Sequence, residues 1–425
     1  MAQRAIREFH AKKMLLRYWP DYFGKKMKYE GNLLLVTPET HLEELGREHH
    51  WLYEKRLAVK PDELFGKRGK HGLILLNATL DDAIAWIKEK MDHEVEIGGI
   101  KDRLTHFLIE EYVPHGEEMY IAIESERDGE RILFSSQGGM EIEDMWYSVG
   151  AVAVPILEDL DIQHLHPNLP EKLSDRKNRL LVEFAGGLFN FYRETGFTYL
   201  EVNPFVFSAE NIVPLDVVAR LDDTAQFQCG HLWGDIEFPA PFGRRSTAEE
   251  AYVAALDHKS GASMKLTVLN PNGRIWTMVA GGGASVIYAD TIVDHGFGHE
   301  LANYGEYSGN PSTDETYEYS KTILDVMCRY RDPRGKILII GGGIANFTDV
   351  NNTFTGIIKA IRQYRRQLVD NNVSIYVRRG GPNYQLGLEN MKKLGEYLGI
   401  PIHVYGPELH MTRIVKIALK ADRGE

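Results

Sequence analysis

The chain has 425 residues, of which 43% are hydrophobic and 26% charged; 61 acidic residues against 49 basic ones give a net charge of −12. This is ordinary globular composition, with a length that suits two to four domains at roughly 100–200 residues each. It excludes broad nucleic-acid binding, which needs a basic footprint to displace counterions, and two cysteines, Cys229 and Cys328, exclude a disulfide scaffold or a four-cysteine zinc or iron–sulfur site.

Scarce cysteine suits a reducing compartment, and both thiols are expected to be structural rather than reactive. The N-terminal stretch MAQRAIREFHAKKML is charged throughout and lacks the apolar core of a signal peptide. No run approaches the ~20 apolar residues of a membrane span. The expectation is a soluble, cytoplasmic protein with neither a membrane nor a nucleic acid as partner. Anionic ligands have to be held by local donors against an unfavourable global field.

From residue 1 to about 240, helices and strands alternate irregularly. Val59-Lys-Pro-Asp62 leads into Gly66-Lys-Arg-Gly-Lys-His-Gly72. A strand-borne lysine followed by a glycine-rich basic loop suits a cover over nucleotide phosphates, lysine supplying a point charge and glycine close approach; a merely solvated basic loop has the same look. Thr79-Leu-Asp-Asp82 has the form of a capping box with Asp in the acidic position. Leu80, Ile84, Ile87 and Met91 follow at helical spacing. Thr105–Val113, Met119–Glu124 and Ile132–Ser136 are strand-like, and the apolar run Ala151–Leu157 reads as a buried strand or short helix. His164 and His166 read as polar loop residues rather than ligands.

Phe197–Leu221 predicts two strands around a turn at Ser208–Asn211. With the turn centred between Ala209 and Glu210, Asn203 falls opposite Asp216, and Glu201 shares their face at i, i+2. An amide and a carboxylate at adjacent sites suit Mg²⁺, which takes few protein ligands and leaves room for phosphate oxygens. Plain cross-strand polar pairing on a wet face is the alternative.

Asp235–Arg245, with two prolines and a glycine, reads as a linker between domains 1–240 and 246–425. Beyond it, the β runs Met264–Leu269, Ile275–Ala280, Ile337–Ile340, Val373–Val377 and Ile402–Tyr405 alternate with helical segments such as Asn351–Val369 and Leu386–Leu398. This βαβ rhythm predicts a parallel sheet with helices on both faces. Pro-Asn-Gly at 271–273 between two β runs signals a hairpin and an antiparallel edge.

Three strand ends in this region favour anions. Val279-Ala-Gly-Gly-Gly-Ala-Ser285 and Ile339-Ile-Gly-Gly-Gly-Ile-Ala-Asn-Phe-Thr348 place glycines where backbone N–H groups can approach a ligand. Arg378-Arg-Gly-Gly-Pro-Asn383 adds arginine, which grips carboxylate or phosphate in a bidentate way. A dinucleotide fingerprint fails at Asn346, and no Walker A sequence exists. Tight turns without a ligand would explain any one segment; three together point to a small polyanion, a polycarboxylate or a phosphoryl group.

The order lysine strand, basic glycine loop, acidic strand and Glu201-Val-Asn-Pro with a later Asp resembles the ATP-grasp domain of nucleotide-linked acyl-CoA synthetases, and the Glu-Val-Asn-Pro spelling resembles succinyl-CoA synthetase β subunits. Trp233-Gly-Asp-Ile-Glu-Phe-Pro, Lys259-Ser-Gly-Ala-Ser, Gly273-Arg-Ile-Trp-Thr-Met-Val-Ala-Gly-Gly-Gly-Ala-Ser, Leu301-Ala-Asn-Tyr-Gly-Glu-Tyr-Ser-Gly and Val377-Arg-Arg-Gly-Gly-Pro-Asn resemble the amino-terminal, citryl-CoA-synthetase-β-like part of the ATP-citrate lyase family, over essentially the whole chain. The resemblance implies an α/β fold, an ATP-grasp domain followed by a flavodoxin-like parallel-sheet domain. It also implies ATP and Mg²⁺ as cofactors and citrate as substrate. Nucleotide contacts are implied at Lys60, Arg68, Gly69, Glu110, Tyr112, Val113 and Glu118, and Mg²⁺ ligands at Asn203 and Asp216. A second cation position is implied at Asp257, Ser260 and Ala262. The implied citrate contacts are Ser308, Gly309, Asn346, Phe347, Thr348, Tyr364 and Arg379; Tyr364 also lies on an apolar stripe with Ile357 and Ile361, which suits a core role.

The family phosphorylates a histidine in a Gly-His-Ala context, which neither Gly230-His-Leu nor Gly298-His-Glu matches. The resemblance therefore implies the smaller subunit of a two-chain enzyme, with the phosphohistidine, the CoA site and a citrate-synthase-like lyase domain on a larger partner. A citryl-CoA synthetase β subunit would look nearly the same. A succinyl-CoA synthetase is disfavoured by Arg379 and Asn346–Thr348, and a non-catalytic nucleotide sensor by intact Lys60, Asn203 and Asp216.

Overall fold

The computed structural model describes residues 3–24, 27–29, 31–139, 149–161, 165, 173–208 and 211–423. The chain divides into two compact units, Met1–Arg245 and Ser246–Glu425. His164, His166 and the turn residues Ala209 and Glu210 lie outside the described residues. Among the described residues, no helix is long and apolar enough to cross a membrane.

The first unit is built on antiparallel sheets. One orders Leu33–Val36, Phe107–Glu111, Leu57–Pro61 and Leu75–Ala78. Its core gathers Val36, Leu57, Val59, Phe107 and Ile109 against the helix Leu80–Lys90. That helix starts in a full capping box: the Asp82 N–H donates to the Thr79 hydroxyl at 3.2 Å and the Thr79 N–H to the Asp82 carboxylate at 3.0 Å. Leu80, Ala83 and Ile87 form its buried face. A larger sheet orders Gln3–Ile6, Val217–Asp222, Phe197–Ser208, Met119–Ser125, Gly129–Ser135 and Gly150–Pro155, with Asn211–Pro214 also paired to Phe197–Ser208. The helices Glu8–Tyr22 and Asp175–Glu194 bring Trp19, Phe184 and Phe191 into its core, joined by Phe23 just after the first helix. The apolar run at 151–157 is not buried throughout: the strand Gly150–Pro155 alternates, with Val152 and Val154 facing in and Ala151 and Ala153 out, as suits one wet face, and Ile156 and Leu157 lie exposed in the turn after it.

The second unit carries a six-stranded sheet in the order Ser263–Val268, Asn303–Ser308, Ile275–Ala280, Lys336–Gly342, Val373–Arg378 and Ile402–Tyr405. All neighbours are parallel except the first pair. The antiparallel edge is as expected, but the hairpin through Pro271-Asn-Gly273 does not form. Asn303–Ser308 inserts between the two runs, and Leu269 and Asn270 donate their N–H groups to Ala302 O instead. The inserted strand, Asn-Tyr-Gly-Glu-Tyr-Ser, has too few apolar residues to be read as a strand from periodicity. Gly305 permits its close approach, since a Cβ there would stand 2.2 Å from Lys265 O. The predicted helix 351–369 is two helices, Val350–Gln363 and Arg365–Asp370, meeting at Tyr364. Cys229 and Cys328 are free and half-buried, and burial pushes both thiols up, Cys328 to about 12, so neither is a ready nucleophile.

Candidate functional site

In the first unit the site begins with a helix start. The Asp62 carboxylate, at the end of the lysine strand Leu57–Pro61, accepts the N–H groups of Glu8 and Phe9 at 2.8 and 3.0 Å and so ties the helix Glu8–Tyr22 to that strand. Glu8 then lies over Lys60. Lys60 Nζ stands 2.8 Å from Glu8 Oε1, 3.0 Å from Glu110 Oε1 and 2.7 Å from Leu215 O. Lys12, one helical turn beyond Glu8, stands 2.8 Å from Glu8, 2.6 Å from Glu110 and 2.8 Å from Leu215 O. Arg68, opening the 3₁₀ turn Arg68–His71 that includes Gly69, reaches Glu8 Oε2 at 2.9 Å and Asp216 Oδ1 at 3.0 Å. Three cations and three carboxylates therefore interlock.

Burial opposes the charges of Glu8, Lys12, Lys60 and Asp216, and the outcome differs by position. Burial raises the Glu8 carboxyl, yet Lys12, Lys60 and Arg68 overcome it and hold it far below the usual range. Burial lowers the ammonium groups of Lys12 and Lys60, yet Glu110 and Glu8 push both up. At Asp216 burial and the nearby Glu8 prevail and the carboxyl is raised. Asp62 is likewise pushed up to about 6, by burial and then by Glu8. Glu8 and Lys12 were absent from the expected site. Their signal was present, an i, i+4 Glu–Lys pair in the charged N-terminal stretch.

The Glu110 end of the cluster opens into a cleft of ≈ 350 Å³ lined by Tyr29, Asn32, Lys55, Glu110, Val113 and Leu215, among others. Tyr112 donates its N–H to Arg56 O at 2.7 Å, and Val113 O pairs with His115 Nδ1 at 2.7 Å. His115 Nε2 in turn meets Glu118 Oε1 at 3.1 Å.

Asn203 and Asp216 are in the expected register: Val202 pairs with Val217, Phe205 with Pro214, and the Asn203 N–H donates to Asp216 O at 2.9 Å. Their side chains part. Asn203 Oδ1 accepts the Gly139 N–H at 2.7 Å, while Asp216 turns to Arg68. Glu201 accepts the Tyr199 hydroxyl. Among the described residues no three His, Cys, Asp or Glu side chains gather as a metal set. Asn203, on the strand Phe197–Ser208, and Asp216, in the link between Asn211–Pro214 and Val217–Asp222, still offer the donor chemistry, one amide oxygen and one carboxylate, that suits an ion keeping most of its ligands as water or phosphate.

At the second cation position, Asp257 accepts the Met264 N–H at 2.7 Å and the Lys265 ammonium at 2.6 Å. Ser260 Oγ accepts the Ala262 N–H at 2.9 Å in a local turn. Ala262 instead lies against Gly309, whose Cβ would stand 3.1 Å from the Ala262 Cα.

In the second unit, four adjacent strands end together: Asn303–Ser308, Ile275–Ala280, Lys336–Gly342 and Val373–Arg378. Ligands of open α/β sheets bind at such carboxyl ends. Gly309 follows the first with φ +75°. Asn346, Phe347 and Thr348 lie in the loop after the third, and Asp349 of that loop donates its N–H to Asn310 Oδ1 at 3.1 Å, linking it to the loop of Ser308 and Gly309. Arg378 and Arg379 follow different fates. Arg378 spends its donors on Gly342 O at 2.8 Å, Leu409 O at 2.8 Å and Pro407 O at 3.3 Å, which closes the strand ends. The Arg379 residue is only 4% exposed, and its guanidinium has one hydrogen bond, from Nη1 to Gly343 O at 2.7 Å; its Nε has no partner, and no carboxylate among the described residues pairs with it. Burial accordingly lowers its pKa, with no facing carboxylate to restore it.

Tyr364 does not join this pocket. It follows the 14-residue helix that starts just after Thr348, so about 21 Å of helix separates them. Its hydroxyl donates to Asp325 at 3.2 Å.

The family model described as ATP-citrate synthase ATP-grasp domain matches residues 2–233, and the one described as ATP citrate lyase citrate-binding matches residues 244–421. A mouse ATP-citrate synthase is 49% identical over 99% of this chain, which spans 38% of that relative. An Arabidopsis thaliana ATP-citrate synthase alpha chain is 45% identical over 99% of both. A solved ATP citrate lyase from Methanothrix soehngenii, in complex with citrate and coenzyme A, is 53% identical with a TM-score of 0.90, covering 99% of this chain and 100% of that one. The two folds are thus an ATP-grasp domain and a parallel-sheet citrate-binding-type domain, and the chain belongs to the ATP-citrate synthase (ATP citrate lyase) family.

Proposed function

We propose that this chain is the nucleotide- and citrate-handling subunit of a two-chain, cytoplasmic ATP-citrate lyase, which converts ATP, citrate and CoA to acetyl-CoA, oxaloacetate, ADP and phosphate. The observation that carries the reading is Arg379: a guanidinium buried without a carboxylate at joined strand ends calls for an anionic ligand. The Asn346–Thr348 and Ser308–Gly309 loops flank it, and citrate supplies the carboxylates.

In the first unit, the adenine occupies the cleft beside Glu110 and Val113, with Tyr112 and Glu118 on the segment that closes it. Lys60, Arg68 and Lys12 neutralise phosphate charge as it spreads over the transferring group. Gly69 lets the loop approach the phosphates. Asp216 and Asn203 would hold Mg²⁺, which supplies further charge compensation. The γ-phosphoryl group passes to a histidine nitrogen on the larger partner, releasing ADP. A citrate carboxylate oxygen then takes the phosphoryl group and frees the histidine. CoA thiolate displaces phosphate from citryl phosphate, and the partner's lyase domain splits citryl-CoA.

The test is calorimetry plus product assay. The chain alone is expected to bind Mg-ATP and citrate yet form no acetyl-CoA until the larger subunit is added. Robust turnover by the chain alone, or failure to bind either ligand, would overturn the reading. Citryl-CoA without cleavage in the assembled enzyme would make it a citryl-CoA synthetase subunit.

A further inference from the structure

A second buried polar group shares the face on which Arg379 lies. Tyr307 pairs with Ala280, and Ala280 pairs with Gly342, so these three residues form one row across adjacent parallel strands. Residues paired in register point to the same face of a sheet. The middle and far members are small. A Cβ on Gly342 would stand 2.6 Å from Arg379 Nη1 and 3.1 Å from the Ala280 Cβ, so the guanidinium lies over Gly342 beside the Ala280 methyl. Nothing larger than that methyl stands in the row between Arg379 and Tyr307. Glu306, the next residue on the Tyr307 strand, points to the opposite face, towards Gly282.

Tyr307 is 1% exposed, and its ring packs 5.9 Å from that of Tyr319, on the helix Thr313–Arg329 that follows the Ser308–Gly309 loop. Its hydroxyl has no hydrogen-bond partner among the described residues, and neither does Arg379 Nε. Buried hydroxyls almost always find partners, and those that do not call for an explanation. Burial pushes the Tyr307 hydroxyl up while the nearby Arg379 charge opposes the shift, so the group stays a protonated donor. Two idle donors therefore lie near each other beneath the joined strand ends, both closed off from solvent, and no carboxylate among the described residues pairs with either.

We infer that Tyr307 is a further substrate-recognition residue, donating its hydroxyl to the same carboxylate group of citrate that Arg379 holds. The inference rests on the citrate reading above. It assigns this tyrosine a role that its apolar packing conceals: the ring belongs to the core and the hydroxyl to the ligand.

The substitution Tyr307→Phe tests it, because it removes one oxygen and keeps the ring. Citrate titrations and melting curves are run on wild type, Tyr307→Phe and Arg379→Ala, each as the full chain. The expected result is a citrate affinity about tenfold weaker in Tyr307→Phe, with Mg-ATP binding unchanged and the ligand-free melting temperature equal to or above wild type, since an unsatisfied hydroxyl has been removed. Wild-type citrate affinity in Tyr307→Phe, with Arg379→Ala impaired, would overturn this inference and leave the pocket standing. A fall in melting temperature alongside affinity would likewise overturn it in favour of a structural hydroxyl. Citrate binding retained in Arg379→Ala, or absent in wild type, would overturn the pocket itself.

Discussion

Glu8 and Lys60 meet at 2.8 Å, and the Glu8 side chain, only 1% exposed, also touches Lys12 and Arg68. One carboxylate thus anchors all three cations of the buried cluster. Substituting Glu8→Gln leaves those three opposite two carboxylates. The ligand-free chain should lose stability on the order of 3–5 kcal/mol, the cost of breaking a buried pair. Mg-ATP, bringing negative charge to the surplus, should raise the melting temperature more in the variant than in wild type. Melting curves with and without Mg-ATP check this; equal increments would show that the cluster does not meet the phosphates.

Asp216 is different, since its side chain is 30% exposed and it shares only part of the charge on Arg68. Asp216→Ala should leave the chain folded. In the assembled enzyme, transfer of phosphoryl from ATP to the partner histidine should fall on the order of 100-fold or more, because transfer depends on charge placed at the transferring group. Labelled-phosphate transfer at saturating Mg²⁺ is the measurement. A near-normal rate would remove Asp216 from the metal site.

Tyr364→Phe should leave citrate affinity unchanged. The tyrosine stands at the far end of its helix from Thr348, and its hydroxyl serves Asp325. Stability should drop by about 1 kcal/mol, the ordinary worth of one hydrogen bond. Calorimetry decides it, and a large loss of citrate binding would place Tyr364 back in the pocket.

Glu63 offers a pH test. Burial raises its carboxyl, but hydrogen bonds from His106 and Thr105 and the charge of Arg7 outweigh this and bring it down to about 2. A carboxyl whose pKa is lower in the folded than in the unfolded chain adds stability above the unfolded value of about 4.3, and that stability is lost as pH falls towards 2. The contribution is on the order of 3 kcal/mol. Glu63→Gln should therefore be destabilised at pH 7, with the gap to wild type narrowing from pH 4.5 downward. Denaturant titrations across that range check it; a gap independent of pH would mean that the charge of Glu63 is not what stabilises.

Local pattern carried much of this protein. Asn203 and Asp216 were placed opposite each other by counting from a turn, because antiparallel register is arithmetic once the turn is set. The capping box at Thr79 and the parallel strands ending in glycine were legible for the same reason: neighbours along the chain set them. The βαβ rhythm after residue 246 told of a parallel sheet with the Arg378–Arg379 pair at a carboxyl end, and it was the family resemblance that singled out Arg379. Periodicity alone missed the strand Asn303–Ser308, since its buried positions include Asn303 and Gly305, which fit only because neighbouring strands accept them.

What only the tertiary structure decided was which charges meet. Glu8 and Lys12 are 52 and 48 positions from Lys60 in the chain, yet Glu8 accepts from Lys60, and Lys12 shares Glu8, Glu110 and the Leu215 carbonyl with it. Asp257 meets Lys265, eight positions on, at 2.6 Å, a contact its sequence position does not announce. Arg378 and Arg379 are identical in sequence terms, yet one spends its donors on carbonyls and the other keeps a buried donor free. Side-chain electrostatics act over a few ångströms in space, and chain separation does not reveal that distance. Local sequence sets the elements and their ends; whether a charge at such an end is answered by the protein or left for a ligand is settled only when distant segments pack.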